Sequence, residues 1–130
     1  MDVISGGCMC DQVRFKASGE PWRVGLCHCL DCRKHSGSLF SALAIFPAKA
    51  VVIEGETRDH RGRHFCPQCG SSVFGISEDE IEIAIGTLDE PDQFKPSYEL
   101  WTTRREGWLP EFPLAHHYER NRTRDDRTED

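Results

Sequence analysis

The sequence holds no apolar run of membrane-spanning length, which excludes a membrane-spanning helix from its own residues. Its first residues, Met1-Asp2-Val3-Ile4-Ser5, lack the charged and apolar regions of a secretory signal. Basic residues are in deficit: 16 Lys and Arg face 22 Asp and Glu, for a net charge of -6. Such a balance argues against nucleic acid as a partner, because phosphates need a basic face. Apolar residues are also scarce, at 38% of 130 positions, so the core is expected to be small for one domain of this length. No internal repeat recurs apart from short cysteine pairs, and nothing in the pattern specifies an oligomeric state.

Cysteine is the residue that is plentiful. Seven cysteines without an export signal predict a reducing cytoplasm, where thiols serve metals rather than bridges. Disulfides fit badly, since the count is odd and the pairs lie too close in sequence for ordinary bridges. Cys8-Met9-Cys10 and Cys66-Pro67-Gln68-Cys69-Gly70 together make a complete all-thiolate set of structural type, Cys8, Cys10, Cys66 and Cys69. The remaining three fall in Cys27-His28-Cys29-Leu30-Asp31-Cys32. In an extended segment Cys27 and Cys29 point to one side, and a turn after Leu30 brings Cys32 beside them. Three sulfurs suit a tetrahedral zinc ion with one corner unassigned. His28, between two ligands, faces away from the metal. His35 has ligand-compatible spacing after Cys32 and is the rival that would close the site, leaving a silent binding module. His64 is a weaker rival, and His116-His117 has no spacing that asks for metal.

Between the cysteines, short alternating or β-branched stretches are separated by turn residues. Strands are expected over 12–16, 22–26, 39–46, 51–53, 73–76 and 81–85, with an extended path over 98–101. Thr57 to Phe65 reads as a polar hairpin around Gly62, and Asp31 to His35 as one helical turn stopped by Ser36-Gly37. The expected fold is mainly β with few short helices. The division is a zinc domain over 1–118 and a polar C-terminal tail over 119–130, weakly ordered because it is almost wholly charged or polar.

From about Gly6 to Pro113 the chain resembles the glutathione-dependent formaldehyde-activating enzymes and their CENP-V/GFA relatives. The matching residues begin with Gly7-Cys8-Met9-Cys10, Val13-Arg14-Phe15 and Cys27-His28-Cys29 followed by Cys32-Arg33-Lys34. They continue through Ser36-Gly37-Ser38, His64-Phe65-Cys66 with Cys69-Gly70, Gly86-Thr87-Leu88-Asp89, and Trp101 with Arg105 and Trp108. Asp11 and Gly107 depart from the pattern, where Gly and Pro are usual, and neither is a ligand.

The resemblance implies a zinc-stabilised Mss4-like β-sheet fold with zinc-ribbon-like knuckles. It implies a structural zinc on Cys8, Cys10, Cys66 and Cys69 and a working zinc on Cys27, Cys29 and Cys32. The inner site, with three ligands, is expected to be only partly occupied on isolation. The reaction implied joins a small-molecule thiol, glutathione, to a small aldehyde, formaldehyde, and is that of a carbon–sulfur lyase. Glutathione carries two carboxylates and calls for cationic forks. Arg33, which follows the last inner cysteine, is one candidate for that pocket, with Trp101 as a wall. Arg105, between two tryptophans, is another, and Lys34, Arg61, Arg63 and Arg104 are further cations within reach of the motifs.

Overall fold

The computed structural model describes residues 2–129. Met1 and Asp130, the outermost positions of the expected domain and tail, lie outside the described residues. The fold is mainly β. Strands β1 (Val3–Gly7), β2 (Arg14–Ser18) and β5 (Val51–Glu54) form an antiparallel sheet in the order β1-β2-β5. The larger sheet contains β3 (Arg23–Cys27), β4 (Ser41–Pro47), β6 (Arg58–His60), β7 (Arg63–Phe65), β8 (Ser72–Ser77), β9 (Glu80–Ala84), β10 (Tyr98–Leu100) and β11 (His116–His117). Its order is β11-β10-β3-β4-β9-β8-β7-β6. Pairing is antiparallel except at β10, which runs parallel to both β3 and β11.

Alternation explains which face each strand buries. In β9, Glu80-Ile81-Glu82-Ile83-Ala84, the two isoleucines are buried and their neighbours are not. Register carries this alternation across the sheet as two adjacent rows. Val24, Ala44, Ile83 and Phe74 stand opposite one another on β3, β4, β9 and β8, and all four belong to the core. Phe15 and Ala17 from the small sheet, with Val13 just before β2, pack against them. The next row, Arg23, Ile45, Glu82, Gly75 and Arg63, points the other way. One row therefore builds the core and its neighbour builds the floor of a surface groove.

The single α-helix among the described residues, α1 (Leu30–Ser36), begins directly at the inner cysteines. Cys29 is its N-cap, its sulfur accepting a hydrogen bond from the Cys32 N–H at 3.3 Å. Gly37 ends it in the left-handed region at φ 72°, and its N–H donates to the Arg33 carbonyl. The tail segment makes its own contacts. Glu129, 4% exposed, accepts hydrogen bonds from Tyr118, Arg122 and His116. Arg127 lies over the Trp22 ring at 4.3 Å and pairs with Asp79 at 2.9 Å.

Candidate metal centres and the groove beside them

The outer cluster is assembled from two turns far apart in sequence. Cys8 and Cys10 lie in the β1–β2 connection, Cys66 and Cys69 in the tight turn between β7 and β8. All four sulfurs lie within 4.8 Å of one another. Cys10 is 3.6 Å from Cys8 and 3.7 Å from Cys66. These separations match the edge of a tetrahedron with ligand bonds near 2.3 Å, about 3.8 Å, and lie far beyond a disulfide bond of about 2.05 Å. Backbone N–H groups point at the sulfurs: Val13 to Cys8 at 3.2 Å, and Gln68 and Cys69 to Cys66 at 3.4 Å. Such donors favour the thiolate, the form that binds metal.

The inner cluster is Cys27, at the end of β3, with Cys29 and Cys32 from the cap and first turn of α1; their sulfurs also lie within 4.8 Å of one another. Among the described residues no histidine or carboxylate joins them at that distance. His35 instead lines the neighbouring groove, its carbonyl accepting from Ser72 Oγ at 3.1 Å. Hydrogen bonding from the Cys27 thiol, aided by Cys29, the Arg63 charge and Ser41, brings Cys32 down to about 5 despite its burial. The Cys27 thiol is pushed up correspondingly by that bond and by burial.

Two cavities meet at this cluster. A groove of about 790 Å³ runs along the sheet face and is lined by Cys32, His35, Ser41, Arg61, Arg63 and Glu82, among others. A chamber of about 200 Å³ is lined by all three inner cysteines with Arg23, Tyr98 and Trp101. Cys32, Leu43, Arg63 and Glu82 border both spaces. Tyr98 reaches the chamber because β3 has glycine beneath it: a Cβ on Gly25 would lie 2.3 Å from the Tyr98 ring. Burial pushes the Tyr98 phenol up to about 12. Trp101 adopts the left-handed conformation (φ 55°) and its indole N–H donates to Asn121 at 2.9 Å, so the tail closes one side of the chamber with Asn121 and Arg122.

The remaining candidates fall elsewhere. Arg33 pairs with Glu106 and donates to the Arg104 carbonyl at 2.8 Å, and Arg105 pairs with Glu99 at 3.7 Å; neither lines the groove or the chamber. Trp108 is exposed, and His64 stacks on Phe74 at 4.7 Å. His28 is fully buried and its Nε2–H donates to Glu99 at 2.7 Å, so it faces away from the sulfurs as its position between two cysteines predicts. Glu99 is the residue the sequence conceals. It is fully buried on β10 and also accepts from His117. Glu99, Glu111 and His117 lie within 4.8 Å of one another, and Arg105 supplies the cation there.

A mainly-β fold with two cysteine clusters, one of four sulfurs and one of three beside two cavities, defines a class of proteins able to hold metal ions. The chain belongs to the glutathione-dependent formaldehyde-activating enzyme family, whose sequence profile matches residues 3–104. A Schizosaccharomyces pombe protein named as an uncharacterised lyase is 30% identical over 80 residues, covering 57% of this chain and 58% of its own length. The chain thus spans less than two thirds of that relative. The crystal structure of a Rhodobacter sphaeroides protein shares the fold, with a TM-score of 0.55 and 15% identity over 69% of this chain and 92% of the other.

Proposed function

We propose that this protein is a zinc-dependent enzyme that makes and breaks a carbon–sulfur bond between a small-molecule thiol, glutathione or a close analogue, and a small aldehyde such as formaldehyde. The observation that carries this reading is the inner cluster: three converging sulfurs, no fourth side-chain ligand among the described residues, and cavities beside them. Soft thiolate donors in a compact set fit zinc. Cys27, Cys29 and Cys32 would hold the working ion, and Cys8, Cys10, Cys66 and Cys69 a structural one. A zinc ion held there lowers the pKa of a thiol that reaches its free side, making thiolate available at neutral pH.

The other steps belong to the chain's own residues. The groove of about 790 Å³ is large enough for a peptide-sized thiol, and Arg61 at its rim suits a carboxylate. The chamber of about 200 Å³ suits an aldehyde of few carbons. Trp101 walls that chamber, while Arg33 and Arg105 brace the segment behind it through Glu106 and Glu99. Holding thiol and carbonyl in contact is then the main contribution of the fold. The reaction run backwards is carbon–sulfur cleavage, in keeping with the family description and with the name given to the yeast relative. Reduced cysteines throughout suit a reducing cytoplasm.

Exchange spectroscopy with carbon-13 formaldehyde and glutathione tests the reading. The zinc-loaded protein should accelerate interconversion of free and S-hydroxymethyl forms, and Cys29→Ser should abolish the acceleration. Interconversion at the uncatalysed rate with both zinc sites filled would leave a zinc-stabilised binding module in place of an enzyme.

A further inference from the structure

Forming a carbon–sulfur bond at a carbonyl moves the carbonyl π pair onto oxygen. Beside three anionic sulfurs that oxygen needs a cation, and a partly buried one attracts it more strongly than one in bulk water. Four arginines border the two cavities: Arg23, Arg61, Arg63 and Arg122. Arg23 is committed to Glu80 through contacts of 2.9 and 3.1 Å, and Arg122 to Glu129 at 2.6 Å. Arg61 is exposed at the tip of the β6–β7 hairpin. Arg63 is half-buried and borders both cavities beside Cys32. No carboxylate lies within 4.0 Å of it among the described residues. Register places Gly75 between Arg63 and Glu82, where a Cβ would lie 3.4 Å from the Glu82 carboxylate, so the missing side chain leaves room for that group on the floor near Arg63. A guanidinium has five N–H donors; Arg63 directs part of this set to the Cys32 sulfur and, with no carboxylate in contact, keeps donors for an anion beside that sulfur.

We infer that Arg63 is a catalytic residue, the cation that receives the aldehyde oxygen as it becomes an anion at the junction of groove and chamber. This rests on the proposed function, because thiol and aldehyde must meet beside the inner sulfurs. The thiol first gives its proton to solvent. Its sulfur lone pair then forms the bond to carbon, the π pair settles on oxygen facing Arg63, and water from the open groove returns a proton to give the neutral S-hydroxyalkyl product. In the cleavage direction the hydroxyl proton leaves, the carbonyl re-forms, and the bonding pair returns to sulfur. Arg63 keeps its charge throughout.

The test compares wild type, Arg63→Met and Arg63→Lys as zinc-loaded full-length proteins in the same exchange measurement, with zinc content and melting recorded for each. Arg63→Met should lower kcat on the order of 100-fold. Its KM for glutathione should stay within about twofold, the signature of an interaction made only in the transition state. Arg63→Lys should recover part of the loss. A raised KM with unchanged kcat would make Arg63 a substrate-carboxylate anchor and overturn the inference, as would unchanged kinetics, with the proposed function standing in both cases. A wild type without acceleration would remove the proposed function and this inference together, and the wild-type arm separates that failure from the others. Should Arg63→Met not fold, Arg63→Gln takes its place with the same outcomes.

Discussion

If the outer cysteines hold the proposed ion, removing it should weaken the fold by an amount the structure lets us work out. Cys10 and Cys66 are 56 residues apart in sequence, with sulfurs 3.7 Å apart, so an ion between them closes a long loop. In the chain-entropy treatment of cross-links a loop of that length is worth about 4 kcal/mol. Metal–thiolate affinity adds to this, and structural zinc in small domains reaches about 10 kcal/mol. Since domains carry only about 5–15 kcal/mol in total, the loss leaves marginal stability. For a chain of this size about 4 kcal/mol corresponds to a fall in Tm of about 15 °C. The inner cluster closes no long loop, because its cysteines all lie within residues 27–32. A chelator titration followed by metal release and circular dichroism should therefore show two stages. The first equivalent leaves with Tm nearly unchanged, and the second leaves with the large drop. Cys10→Ser, which changes an exposed side chain, should reproduce that drop without a chelator. Unchanged melting after both equivalents had gone, or in Cys10→Ser, would refute the reasoning.

Cys29→Ser should lose one zinc equivalent and keep a single cooperative transition, whereas His35→Ala should keep both equivalents by metal analysis. Glu99→Gln leaves His28, His117 and Arg105 without their buried carboxylate and should cost about 3 kcal/mol in urea denaturation. Burial alone would raise the Glu129 carboxyl, but Arg122, His116 and Tyr118 hold it below its ordinary value. Its contribution is thus complete above the ordinary carboxylate range and is lost as pH falls through the lowered folded value. Proteolysis within 119–129 should accelerate across that acid window, and Glu129→Gln should be cleaved readily at neutral pH as well.

What could be read from sequence was what local chemistry dictates. Seven cysteines in close pairs announce both clusters, the alternation around Ile81 and Ile83 announces β9, and Gly37 announces the end of α1. β1, Val-Ile-Ser-Gly-Gly, escaped because two glycines blur its alternation, and β11 escaped because two histidines carry no periodicity. The insertion of β10 beside β3 depends on pairing across most of the chain, which no local pattern encodes. Glu99 follows the strand period toward the interior, yet its residue type reads as surface. Arg33 illustrates the reverse case: adjacent to an inner cysteine in sequence, it is turned by the helix toward Glu106. Arg63 was one of several equivalent cations until register put it opposite Gly75 and beside Cys32.

The parallel placement of β10 also has a bearing on how the chain emerges from the ribosome. β3 ends at Cys27 and its second neighbour begins only at Tyr98. At translation rates of about 5–20 residues per second, roughly 4–14 s separate the synthesis of one from the other. Through that interval the inner thiols sit at the end of a strand whose backbone is paired with β4 on one side and bare on the other. An unpaired edge invites strand pairing with other chains, and bare thiols invite premature metal capture or oxidation. Slowing translation between β3 and β10 should lengthen this exposure and raise the yield of aggregated or oxidised chain.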